Sequence, residues 1–358
     1  LTDVVCFDLE GPLSPQDNAY ELLGLVEDGR RIFEVISRYD DILTLEGRRG
    51  YEPGDTLSLI IPFLVSHGIS DRDIAAVSAR APIVDGVEEL LSVIKKDWNA
   101  YIISTSYRPH AFSIAGRLGI PKDRVYATDL DLEGISGRVR REDLKLVYGM
   151  EEVILSRLEG AGDVEIKKTL DGFYRRISKT SLGALSEVKV VGGVRKLHAL
   201  EIIAKAEGRS LSEVVVVGDS ITDFKMLEAV RRENGAAVVF NGNRYALPYG
   251  NIGLACSSML PLLVVLNAFA MGGTEKAMDA ARVWHIRRGE FLADPAGIPE
   301  EYAPQEVRDF LVGKKHDKKF LQPCFSCLQD LSDDERQKLI ELHSKARKHV
   351  RGKAGNLG

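Results

Sequence analysis

Val4-Val5-Cys6-Phe7-Asp8-Leu9-Glu10-Gly11-Pro12-Leu13 is the stretch whose reading decides the fold. An apolar run ends on the carboxylate of Asp8, a second carboxylate follows at Glu10, and the chain then turns at Gly11-Pro12. Such a run predicts a buried parallel strand that delivers Asp8 to the carboxyl edge of a sheet. Open α/β sheets take their ligands at that edge. A carboxylate there is costly to desolvate unless a cation meets it. The rest of the chain is therefore expected to supply a metal, a cationic side chain and a phosphate cradle.

Other strands follow the same pattern. Val214-Val215-Val216-Val217 is the strongest buried-strand signal in the chain, and it runs into Gly218-Asp219-Ser220-Ile221-Thr222-Asp223. Residues 100–104 read as a strand ending in Ser104-Thr105-Ser106, and residues 124–130, 236–240 and 252–255 as three more. Helical patterns at 82–98, 109–118, 194–208 and 224–232 alternate with them. That alternation predicts an α/β fold with a doubly wound, mostly parallel sheet.

Around this core the reading places three additions. Residues 17–80 form a helical insertion, with helices at 18–37, 56–66 and 70–78, the last N-capped by Ser70. Residues 131–138, Asp-Leu-Glu-Gly-Ile-Ser-Gly-Arg, read as a hairpin, and about 142–188 as a second insertion. Gly272-Gly273 breaks the chain before a mainly helical C-terminal extension, 273–358, with helices at 275–286 and 332–350. The core is then 1–16 with 81–272.

The 358 residues suffice for two domains or one domain with large insertions. A hydrophobic content of 44% and a charged content of 28% are ordinary for a globular protein, and the net charge of −5 argues against a nucleic-acid partner. Four cysteines make no disulfide framework, so a reducing, cytoplasmic setting is expected. No signal peptide is read at the N-terminus. The longest apolar stretches, 57–65 and 260–271, fall short of the roughly 20 residues of a membrane span, so no direct membrane insertion is expected.

Three strand ends thus carry polar clusters, Asp8/Glu10, Ser104/Thr105 and Asp219/Asp223, and Lys196 sits on the helix before the third. Phosphoryl transfer through a carboxylate nucleophile uses these parts. The nucleophile must be ionised and aimed at phosphorus. A hard divalent cation such as Mg²⁺ offsets charge between carboxylates and phosphate oxygens. A hydroxyl and an ammonium hold the remaining oxygens, and a positioned acid protonates the leaving group.

These motifs resemble those of the haloacid dehalogenase (HAD) superfamily, and of its phosphoserine-phosphatase-like members in particular. Phe7-Asp8-Leu9-Glu10-Gly11 is similar to the first motif, Ile103-Ser104-Thr105 to the second, Lys196 to the third and Gly218 to Asp223 to the fourth. Residues 124–137 also resemble the strand and hairpin that follow the second motif in those members. The likeness covers about 1–15, 81–140 and 190–270. The Asp-x-Glu-Gly-Pro-Leu-Ser run and Asn241-Gly242-Asn243 look more narrowly like archaeal HAD-like proteins labelled energy-converting hydrogenase A subunit R.

The resemblance implies a HAD-like, Rossmann-like core in which residues 17–80 are a cap. It implies a Mg²⁺-dependent phosphohydrolase of a small phosphorylated metabolite, working through an aspartyl-phosphate on Asp8. Asp8, Asp219 and the backbone carbonyl of Glu10 would hold Mg²⁺, and Asp223 would complete or orient that site. Ser104 would bind phosphate, with Thr105 its rival, and Lys196 would offset the charge of Asp8 and the phosphoryl group. One departure matters: the superfamily's phosphatases carry Asp where this chain has Glu10. The added methylene moves the acid by roughly 1 Å, a displacement that can cost about 100-fold in rate. Two alternatives therefore stand. One is a weakly active or inactive subunit or scaffold of a larger, hydrogenase-type complex, docked through the C-terminal extension. The other is a phosphate-transferring mutase.

Other residues have plainer readings beside functional ones. Lys189 lies near Lys196 and competes for its role. His110 reads as a packed helix residue or a site residue, and Asn241 and Asn243 as a turn or a substrate contact. Cys324 and Cys327 read as small buried residues, as a redox pair, or as half of a zinc site with His316 and His343. Residues 314–319 read as a solvated basic loop or a dock for an acidic partner.

Overall fold

A computed structural model describes residues 2–183, 188–329 and 331–356. Part of the expected second insertion, residues 184–187, lies outside them. The strands are β1 (Asp3–Phe7), β2 (Trp98–Tyr107), β3 (Val125–Thr128), β4 (Val214–Gly218), β5 (Ala236–Phe240), β6 (Ile252–Ala255) and β7 (Cys324–Cys327). They form a seven-stranded sheet of order β3-β2-β1-β4-β5-β6-β7. The β1–β2, β1–β4, β4–β5 and β5–β6 pairings are parallel, and β6–β7 is antiparallel. The fold is the doubly wound, mostly parallel α/β architecture with a helical insertion.

The order of the strands explains where a ligand belongs. From β1 the chain adds β2 and then β3 on one side, and β4, β5 and β6 on the other. The switch point lies between β1 and β4, whose carboxyl ends carry Asp8 and Asp219. Both strands are buried over nearly their whole length, as continuous Val-rich runs demand when both faces are covered.

The chain divides into two compact units. The first comprises Leu1–Pro15, Pro82–Ile103 and Lys196–Asn356. Residues 273–356 belong to it, and they contribute β7 at the sheet's edge. Trp284 meets Phe291 and Phe325 there at centroid distances of 5.1 and 5.2 Å. The long helix Leu263–Ala293 is broken at Gly272 and Gly273, whose dihedrals leave the helical region, at the predicted break. The helix expected at 82–98 is confined to Val87–Ile94, because the chain enters β2 at Trp98.

The second unit comprises Gln16–Ala81 and Ser104–Arg195. It is mainly helical. Helices Gly29–Leu45 and Asp163–Ile177 share its apolar cluster, in which Ile32, Ile36, Leu170 and Phe173 are buried and Tyr39 stacks on Tyr174. The single helix expected at 18–37 is two, Asn18–Leu23 and Gly29–Leu45, because Asp28 between them is left-handed. The Asp71–Arg80 helix carries the expected Ser70 cap, closed into a capping box by Asp73. The expected hairpin at 131–138 is instead a helix, Leu132–Arg138: the Asp131 side chain accepts from Gly134 N and caps it.

Candidate active site

Asp8 follows the last residue of β1. Its backbone N–H donates to Val217 O at 2.8 Å, which pins it to the neighbouring strand β4. The chain then turns tightly, Gly11 N–H donating to Ser14 O at 2.7 Å. Glu10 lies half-buried in this turn and bridges to Ser14.

Asp219 and Asp223 follow β4 on a loop that Asp223 closes itself. One oxygen, Oδ2, accepts from the backbone N–H groups of Asp219 and Ser220 at 2.9 and 3.0 Å. Its other oxygen, Oδ1, faces the Lys196 ammonium at 2.7 Å, and the same ammonium lies 2.7 Å from Oδ1 of Asp8. Lys196 is fully buried on the helix Val194–Ala206. Burial works against its charge, but Asp223 and Asp8 outweigh that and hold it above the ordinary lysine value. Asp8 is pushed well above the ordinary carboxylate value by burial and by Asp223, with Lys196 opposing and Asp219 adding to the rise.

Asp8, Asp219 and Asp223 each offer a carboxylate oxygen within 4.8 Å of the others, and all three are buried. Among the described residues this is the one group of three or more His, Cys, Asp or Glu side chains so placed. Oδ1 of Asp219 is buried without a hydrogen-bond partner. A buried, unpartnered anionic oxygen beside two more carboxylates is a hard-oxygen donor set, and it fits a cation of the Mg²⁺ type.

The other oxygen of Asp219 shows something the sequence reading missed. Arg347 and Arg351, from the helix Asp333–Arg351, both donate to Oδ2 of Asp219, Arg351 at 3.0 Å. Arg347 also donates to the Asp219 backbone carbonyl at 3.3 Å. Burial pulls the Arg347 guanidinium below its ordinary value, with Asp219 opposing. Gly11 makes room for this oxygen: a β-carbon there would run into the Asp219 carboxylate, and its φ of +114° suits glycine alone. Three carboxylates and three cations, Lys196, Arg347 and Arg351, therefore share the centre.

The remaining predicted residues divide as follows. Ser104 and Thr105 belong to the second unit. There Ser104 Oγ accepts from Ser106 N at 3.0 Å, and the Thr105 carbonyl accepts from Thr128 Oγ1 at 2.5 Å. His110, in the same unit, is buried against Ser78 Oγ, and burial lowers it to about 3. In the first unit the 241–243 turn supports the acidic loop, since Asn243 N–H donates to Asp219 O at 2.8 Å. Asn241 is fastened through its side chain to the backbone of Cys256. Cys324 and Cys327 are half-buried on β7 rather than fully buried. His343 is committed to a different contact, accepting from Gly242 N at 3.1 Å, and His316 is exposed.

No family model matches this chain, and no curated protein does. Among solved structures, a gene product from Archaeoglobus fulgidus is similar along the whole length, with 27% identity, 100% of this chain and 99% of that chain covered, and a TM-score of 0.79. An apo phosphoserine phosphatase matches at 15% identity, over 74% of this chain and 98% of that one, with a TM-score of 0.48. A HAD family hydrolase from Salmonella enterica matches at 13% identity, over 67% of this chain and 62% of that one, with a TM-score of 0.44. Those last two likenesses are too slight to speak for the activity of this chain.

Proposed function

We propose that this chain is a HAD-type phosphohydrolase of small phosphate monoesters, with Asp8 as its nucleophile. The observation that carries the reading is the bridge made by Lys196, whose ammonium touches Asp8 and Asp223 at once within a cluster of three buried carboxylates. The reading rests on residues of the first unit alone.

In the first half-reaction Oδ2 or Oδ1 of Asp8 attacks phosphorus, and the bond from phosphorus to the ester oxygen breaks. Glu10 gives that oxygen its proton, so the alcohol leaves neutral. Water then attacks the aspartyl-phosphate, losing its proton to Glu10. Inorganic phosphate departs and the Asp8 carboxylate is restored. Lys196 holds the carboxylate of Asp8 in place and offsets the charge that gathers beside it, while Asp223 holds Lys196. Asp8, Asp219 and the Glu10 carbonyl are the residues that would hold Mg²⁺, which supplies charge neutralisation between nucleophile and phosphate oxygens. Asp223 has both oxygens committed, so its part is to orient.

The test is release of phosphate from an aryl phosphate, with and without Mg²⁺. Expected is Mg²⁺-dependent turnover that Asp8→Asn abolishes. Equal activity in the Asp8→Asn protein overturns the reading.

A second reading, a subunit that has lost turnover, draws support from the two arginines on Asp219. A mutase is the third: it uses the same residues and differs only in giving the phosphoryl group to a second metabolite instead of water.

A further inference from the structure

The helix Asp333–Arg351 is built to dock. Ser332 caps it in a box with Glu335, its first turn is acidic and its last turn basic, which suits the helix dipole at both ends. Its buried positions, Leu339, His343, Ala346 and Arg347, fall on one face, and Arg351 continues that face one turn on. The stripe begins apolar and ends in two guanidiniums.

Those guanidiniums are not surface charges. Arg347 is 3% exposed, and both meet the single oxygen Oδ2 of Asp219. Two buried arginines side by side repel, and burial is costly for each unless an anion is shared between them. Each has a second anchor: Arg347 Nε donates to Gly355 O and Arg351 Nε to Pro15 O, both at 3.2 Å. The contact is thus a built one. By formal charge it also sets three positive side chains against the three carboxylates of Asp8, Asp219 and Asp223.

We infer that Arg347 and Arg351 are a tethered cationic clamp on Asp219, competing through charge with a divalent cation, so that the docking of the C-terminal helix sets the metal affinity of the acidic centre. The clamp holds one oxygen of Asp219 and leaves the other, Oδ1, unpartnered. A divalent ion arriving while both arginines are seated adds two charges to six buried side chains whose formal charges already balance. When the arginines leave, the cluster carries two net negative charges and the ion restores neutrality. The metal therefore loads fully only as the arginines withdraw. This inference rests on the acidic centre being a cation site and is independent of turnover.

The experiment titrates the full chain with Mn²⁺ alone, following free Mn²⁺ by electron paramagnetic resonance. The Arg347→Ala/Arg351→Ala protein is expected to bind one Mn²⁺ at least about tenfold more tightly than the wild type, because an affinity is reduced by the fraction of molecules whose site is free. Asp219→Asn is expected to remove this gain. Equal or weaker Mn²⁺ binding by the double variant overturns the proposal. A second measurement covers the case in which that variant does not fold: hydrogen exchange of the wild type with and without saturating Mn²⁺. Faster exchange of residues 333–351 with Mn²⁺ supports the clamp, and unchanged exchange at saturation overturns it. Absence of phosphatase turnover alongside a gain in Mn²⁺ affinity would end the proposed activity and leave the clamp standing.

Discussion

The ammonium of Lys196 stands 2.7 Å from Oδ1 of Asp8, and neither side chain is more than 4% exposed. Removing one partner of a buried ion pair leaves the other charge uncompensated, at a cost of about 3–5 kcal/mol. Lys196→Met is therefore expected to lower stability by that amount in chemical denaturation. Adding Asp8→Asn to the same protein should recover a good part of the loss, since it removes one of the stranded charges. A loss below about 1 kcal/mol in the single variant would contradict the pairing.

Gly11 and Asp219 are in such close approach that no other residue fits. Gly11→Ala meets both a left-handed φ and the Asp219 carboxylate. The expected cost is about 1–3 kcal/mol from the backbone alone, together with weaker divalent-cation binding because Asp219 must move. Thermal denaturation and a Mn²⁺ titration check the two parts separately.

Asp40, in the second unit, provides a pH signature. Burial raises it from 3.8 to about 7, although Tyr51, Thr56 and Gly54 donate hydrogen bonds that oppose the rise. The native state then holds this proton more tightly than the unfolded chain does. Its contribution to stability is complete below the unfolded value and is lost as pH rises toward and through the folded one. The stability of the wild type should therefore fall, relative to Asp40→Asn, between about pH 4 and pH 7. A difference between the two proteins that stays constant across that window would refute the assignment.

Glu10 is the proposed acid, and an acid matters in proportion to how badly the leaving group needs a proton. Glu10→Ala should cost about 100-fold in kcat with an alkyl phosphate and under about tenfold with a nitrophenyl phosphate. Equal losses with both esters would assign Glu10 to some other duty.

Much of the sheet was legible because its central strands are unbroken apolar runs ending in carboxylates, a local signal that tertiary context has no reason to overturn. β1 and β4 are the clearest cases. That Asp8, Asp219 and Asp223 would meet could be expected for the same reason, since strand ends at a switch point are few; Lys196 was picked out on the helix before β4, not at a strand end. Asp131 misled because an acidic residue followed by glycine opens a turn or caps a helix with equal ease. β7 had no local signal: Cys324 to Cys327 becomes a strand only by pairing with β6. Arg347 and Arg351 escaped notice in a helix rich in charge, where arginines four apart read as solvated. The signal available was that Leu339 and Ala346 define a buried stripe and that the two arginines continue it.

The partners of Asp219 also carry an order of events. Strands β1 to β6 end at Ala255, whereas the arginines stand at 347 and 351. During synthesis the parallel sheet can pair while the clamp is still inside the ribosome. For that interval the nascent chain exposes an acidic cluster with Lys196 as its sole counter-charge among the six side chains described. Under the proposed clamp, a free divalent ion thus has the first opportunity at the cluster, and the helix arrives second.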